Sequence, residues 1–110
     1  MNRYCFTLDL HNDPELIKGY EDWHQKVWPE IIESIRSSGI DDMQIFRVSD
    51  RLFMIMDVND QFSFDAKAKS DLANEKVQEW EQLMWHYQRP LPFAKPGEKW
   101  VLMNEIFSLK

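Results

Sequence analysis

Residues 42–49 and 51–58 are two strand-like runs that meet across the short connection Ser49-Asp50. A link that brief predicts an antiparallel hairpin, though without the favoured Asn-Gly sequence. Helical periodicity lies on both sides of this hairpin, and a strand pattern lies outside each helical stretch. In the first of these strands Tyr4, Phe6, Leu8 and Leu10 alternate with Cys5, Thr7 and Asp9, the period-2 signature of a half-buried strand. Asp13-Pro14-Glu15 then supplies a capping side chain, a preset first turn and a negative charge at the positive end of a helix. Leu16, Tyr20, His24, Val27, Ile31 and Ile35 form its apolar stripe and carry it to about Ser37, with Gly39 as the stop. A second helical region starts near Asp60, with a break or new cap at Asn74, and places Val77, Trp80, Met84 and Tyr87 on one stripe. Residues 88–99 contain Pro90, Pro92, Pro96 and Gly97, too many breakers for a regular element, and residues 100–107 read as a closing strand.

The resulting order, β-α-β-β-α-β, predicts an α+β, ferredoxin-like fold: a four-stranded antiparallel sheet with two helices on one face. With 110 residues the chain is one domain, 1–110, able to bury about two-thirds of its surface. Two helices cover only one side of the sheet. The run Leu52, Phe53, Met54, Ile55 and Met56 is apolar on both faces, so the uncovered side is expected to pair with a second copy, giving a homodimer through the sheets; the alternative is that these residues pack under the long proline-rich loop.

Charge and cysteine usage narrow the classes further. Thirteen Lys and Arg against nineteen Asp and Glu give a net charge of −6, the wrong sign for binding a phosphate backbone, so no nucleic-acid partner is expected. The single Cys5 has no internal disulfide partner, and no Cys/His cluster has zinc spacing, so no metal is expected. No stretch has the length of a membrane span or the core of a signal peptide, which makes a cytoplasmic protein without membrane contact the expectation.

The segment with most chemical content is Tyr20 to Glu30. Tyr20, His24 and Trp28 follow one another at i, i+4 and would form a column of two aromatic surfaces and one titratable ring. Pro29 falls inside the helix as read, where a proline costs about 3 kcal/mol and kinks the axis, tilting His24 toward a cleft. Imidazole exchanges protons near neutral pH, and aromatic planes suit the C–H faces of a sugar. Helix spacing by itself favours the plainer alternative, a buried histidine with satisfied nitrogens. Trp80 and Tyr87 read as core, with pocket lining the minority reading; Glu81 stands at a rim or in solvent. Asp9, Asp57 and Glu105 could orient a histidine, although a solvated sheet position is the simpler reading for each. His11 and His86 read as solvated.

Taken together, these residues resemble the L-rhamnose mutarotase family, cofactor-free sugar epimerases of about this length, over nearly the whole chain. The resemblance rests on Tyr20-x3-His24-x3-Trp28-Pro29-Glu30, on Leu52-Phe53 followed by Asp57, on Gln78-x-Trp80-x3-Met84, and on Glu105-Ile106-Phe107. It implies a dimeric ferredoxin-like fold in which His24 is the proton donor and Tyr20 and Trp80 contact the substrate, with Trp28 as a further aromatic surface and no cofactor. At two pocket positions the chain departs from the rhamnose pattern: Met43 stands in place of a Tyr, and Glu81 in place of the second member of a Trp-Trp pair. Relatives with this altered pair resemble L-fucose mutarotases, so the expected activity interconverts the anomers of a 6-deoxy-L-hexose, L-fucose before L-rhamnose. The competing classes are a dimeric monooxygenase or haem-binding protein of the same fold, and a sugar-binding dimer without catalysis.

Overall fold

The computed structural model describes residues 2–109. Strand β1 spans Asn2–Leu10 and runs into α1, Pro14–Gln25, through the Asp13 cap, whose carboxylate accepts from the backbone N–H groups of Glu15 and Leu16. Helix α2 covers Pro29–Ser37, and Gly39 at a φ of 99° turns the chain into β2, Ile40–Val48. A Cβ at Gly39 would stand 2.8 Å from Asn59 Oδ1 and 2.9 Å from the Phe62 nitrogen, so this turn requires glycine on both conformational and steric grounds. Ser49, also at positive φ, and Asp50 form the hairpin link to β3, Arg51–Val58. Helices α3, Phe64–Ala73, and α4, Glu75–Trp85, meet at Asn74, whose side chain caps α4. Two short strands, β4 at Gln88–Arg89 and β5 at Val101–Leu102, complete the fold.

The sheet order is β2-β3-β1-β4, with β5 also on β1, and every pairing is antiparallel. This is the expected β-α-β-β-α-β order with each helix divided in two and the closing strand reduced to β5; β4 is an additional strand at the start of the 88–99 stretch expected to hold no regular element, where Gln88 and Arg89 precede Pro90 and pair with Leu10 and Asp9. Register places Phe6 opposite Met54 and Leu8 opposite Leu52, so β1 and β3 turn the same apolar face toward the helices. That face is the core. Leu8, Leu10, Leu52 and Val58 are fully enclosed, and Tyr20, Ile31, Val77, Trp80 and Met84 pack down from the helices. The opposite face carries Cys5, Thr7, Phe53 and Ile55, with Phe46 and Val48 exposed at its β2 end.

Three expectations change. The first helix does not continue through Pro29 with a kink: it ends at Gln25, and Pro29 is the first residue of α2. A proline forces its predecessor out of the helical region, and Trp28 sits at ψ 136°; at N1 the missing N–H costs nothing. The second helical region begins at Phe64, capped by Ser63, rather than near Asp60. The closing strand is only Val101–Leu102; after Met103, whose N–H donates to the Cys5 carbonyl, residues 104–109 have no regular structure and expose Ile106, Phe107 and Leu109. Among the described residues no helix is long and apolar enough to cross a membrane.

Candidate active site

The helix layer and the sheet do not close completely on each other. Between them lies a hollow of about 650 Å³, within the size range of small-molecule sites. Its walls are Tyr20 and His24 from α1, Met43 and Ile45 from β2, Met54 and Met56 from β3, and Trp80, Glu81 and Met84 from α4. Gln88 of β4, with Lys99 and Trp100 just before β5, completes the lining. Five of the six site residues expected from sequence, Tyr20, His24, Met43, Trp80 and Glu81, therefore share one cavity.

Trp28 does not. Because α1 stops at Gln25, the column expected from i, i+4 spacing is cut after His24, and Trp28 swings behind Trp80, with ring centroids 5.1 Å apart and the rings nearly perpendicular. Trp23 closes the same cluster at 6.3 Å from Trp80 and 6.4 Å from Trp28. Trp28 thus supports the wall from behind instead of lining it.

His24 sits in the last turn of α1 and packs on Tyr20, centroids 4.4 Å apart, and against the Trp80 ring at 5.8 Å. Its Nδ1 lies 2.8 Å from the Tyr20 carbonyl oxygen. A carbonyl only accepts, so Nδ1 carries the hydrogen and the neutral ring keeps its lone pair on Nε2. Burial pushes the His24 pKa below its ordinary 6.5, partly opposed by the same carbonyl, so the neutral form dominates at pH 7. The ring can take a proton at Nε2, and the Tyr20 carbonyl stabilises the imidazolium that results.

Tyr20 is almost completely enclosed, and burial pushes its phenol up to about 12, so it remains protonated across the physiological range. Its Oη accepts from Gln88 Nε2 at 3.3 Å. The other amide atom, Gln88 Oε1, is buried with no protein partner among the described residues, a condition that costs about 1 to 3 kcal/mol. At the rim Lys99 Nζ donates to Glu81 Oε2 at 2.7 Å and to the Glu81 carbonyl at 2.9 Å, and it lies 4.9 Å over the Trp85 ring. Burial lowers the Lys99 pKa, and the Glu81 charge works against that shift.

No spacing or motif in the sequence singles out the Gln88 or Lys99 side chain. Both lie in the breaker-rich stretch, whose role depends on where the chain returns to β1. The remaining sequence candidates lie elsewhere. Asp9 is held by Arg51 in two hydrogen bonds of 2.6 and 3.1 Å, Asp57 is paired with Arg3, and Glu105 is in the exposed tail. Among the described residues no three His, Cys, Asp or Glu side chains gather as a metal-binding group.

The sequence model of the L-rhamnose mutarotase family matches residues 3–109. An L-fucose mutarotase of Xanthomonas campestris pv. campestris is 46% identical over 111 residues, covering 99% of this chain and 89% of the relative. The crystal structure of an L-rhamnose mutarotase from Formosa agariphila superposes with a TM-score of 0.74 at 19% identity, all of both chains covered. Tetracenomycin F2 cyclase from Streptomyces glaucescens, a type-II polyketide cyclase, shares the fold at a TM-score of 0.62 and 16% identity, over all of this chain and 98% of that one. The fold by itself therefore does not select the chemistry; the site residues must.

Proposed function

The chain belongs to the L-rhamnose mutarotase family, and from that premise we propose that it interconverts the α and β anomers of a 6-deoxy-L-hexose, L-fucose in preference to L-rhamnose, with His24 as the proton-transferring group. The observation that carries the reading is the placement of His24: its Nδ1 lies 2.8 Å from the Tyr20 carbonyl oxygen and its ring forms part of an aromatic-walled hollow.

Mutarotation is a proton relay across one carbon. Nε2 takes the proton from the anomeric hydroxyl, O1 forms a double bond to C1, and the C1–O5 bond breaks with its electron pair going to O5. The imidazolium then returns the same proton to O5. His24 is thus base first and donor second, which a single nitrogen can manage because O1 and O5 are both bonded to C1. Rotation about C1–C2 turns the other aldehyde face to the C5 hydroxyl, and the reverse steps close the second anomer. Trp80 supplies the plane for the sugar's C–H face, and the Tyr20 phenol is a permanently protonated donor.

The preference for L-fucose is supported by the 46% identical relative of that name and by the Met43 and Glu81 departures. Glu81 is held by Lys99, so the rim presents a charged pair where an aromatic side chain would be apolar. Exchange NMR on equilibrated L-fucose, L-rhamnose and D-glucose tests the function. Acceleration is expected for L-fucose first and L-rhamnose second; L-rhamnose first reverses the assigned preference, and buffer rates for all three sugars reject the activity.

The active unit proposed is a homodimer. The uncovered sheet face with Phe46, Phe53 and Ile55, and the apolar tail residues Ile106, Phe107 and Leu109, together present surface suited to burial against a second copy. Sedimentation at micromolar concentration is expected to give twice the chain mass. A monomer at that concentration contradicts the pairing.

A further inference from the structure

Gln88 stands out because it is polar, almost fully enclosed and only half satisfied. It enters the hollow from β4, where its backbone pairs with Leu10, and its side chain is 3% exposed. Nε2 donates to Tyr20 Oη, while Oε1 has no protein partner among the described residues. Turning the amide over would let Tyr20 Oη donate to Oε1 and would free the NH2 group instead, so one polar atom lacks a protein partner in both orientations. Gln88 stands opposite Leu10 across the β1–β4 pairing and shares the wall of the hollow with Met84, and in so enclosed a position an unused hydrogen-bonding atom is costly. A residue retained there for packing alone would be better apolar.

The position relative to His24 indicates what the free atom meets. The His24 ring lies over the face of Tyr20, whereas Gln88 lies at the phenol end of the same ring. His24, Trp80 and Gln88 line the same hollow, so a pyranose on the Trp80 plane with C1 at His24 Nε2 has its non-reacting edge free to face Gln88. Resting on the mutarotase reading above, we infer that Gln88 is a specificity-determining residue whose amide hydrogen-bonds one non-anomeric ring hydroxyl, among those on C2, C3 and C4. The terminal torsion of glutamine is soft, so the amide can turn from the wall toward a bound sugar without leaving its rotamer. L-fucose and L-rhamnose differ in configuration at C2 and C4 and agree at C3, so an amide bonded to the C2 or C4 hydroxyl distinguishes them, and one bonded to the C3 hydroxyl selects both over sugars that lack it.

The test compares L-fucose with its 2-, 3- and 4-deoxy analogues in wild type and Gln88→Met. In wild type one analogue should lose about tenfold or more in kcat/KM. In Gln88→Met the ratio between L-fucose and that analogue should fall toward one, with a thermal midpoint close to that of wild type. The inference is overturned if Gln88→Met keeps every wild-type ratio, or if it loses activity equally on all four sugars together with stability, the behaviour of a structural residue or of an amide that only holds a trapped water. If Gln88→Met does not fold, the Gln88 side-chain amide resonances of wild type decide: they should shift on saturation with L-fucose and not with the discriminated analogue, and no shift with either sugar overturns the inference. Wild type that accelerates no sugar counts against the mutarotase reading itself, a separate result.

Discussion

Replacing His24 by alanine is expected to reduce enzyme-dependent anomer exchange by about 10² to 10⁴-fold, the usual contribution of a positioned acid/base group. The variant should remain folded. Position 24 is in the last turn of α1, alanine is a better helix former than histidine, and the only hydrogen bond lost is the one from Nδ1 to the Tyr20 carbonyl, which stays in the helix. Circular dichroism and the thermal midpoint should therefore hold near wild type while exchange NMR shows the loss. Near-wild-type exchange from a folded His24→Ala protein would remove His24 from the chemistry and leave the hollow as a binding site.

Trp80→Ala should act on stability and activity together. Trp80 is 6% exposed and is the ring on which Trp23, His24 and Trp28 converge. Truncating a buried tryptophan costs about 3 to 5 kcal/mol, a large part of the 5 to 15 kcal/mol that holds an ordinary domain together. At roughly 4 °C or more per kcal/mol for a chain of this size, the thermal midpoint should fall by about 12 °C or more. His24 would also lose the surface that fixes its ring. Trp80→Phe separates the two effects: it restores most of the packing and should recover most of the midpoint, while the narrower plane leaves sugar exchange reduced. A Trp80→Ala protein that melts like wild type would show that Trp80 is not the centre of the aromatic cluster.

Much of this site was legible in the sequence because its main side chains sit on regular elements. Tyr20 and His24 share a helix face at i, i+4, and the stripe Val77, Trp80, Met84 identified the inner side of α4, all three residues being buried. The alternation of β1 and the two-residue link at Ser49-Asp50 fixed the register that seats Met43 and Met54 on the cavity side. Trp28 failed for a local reason already present in the residues. Pro29 at its C-terminal side makes an extended conformation at 28 and a new helix start at 29, so spacing measured through that bond has no meaning. Gln88 and Lys99 failed for a non-local one. Their importance comes from Tyr20, 68 residues away from Gln88, and from Glu81, 18 residues before Lys99, and no periodicity spans a loop with three prolines. The closing strand stops at Leu102 because only Val101 and Leu102 pair with β1, and residues 103–107 follow as apolar and polar blocks with no period of 2.

The central claim is that the working form of the site is a neutral His24 with its lone pair on Nε2. Burial lowers the pKa of this group, so the proton-accepting form predominates at pH 7 and is lost as pH falls through a value under 6.5. The most direct test is the pH dependence of kcat/KM for L-fucose anomer exchange, followed by exchange NMR from about pH 5 to 8 with the buffer rate subtracted. The account requires a rate that levels off toward pH 8 and declines on the acid side with a midpoint below 6.5. A rate that climbs as pH drops through the same interval would make the imidazolium the active species and contradict it.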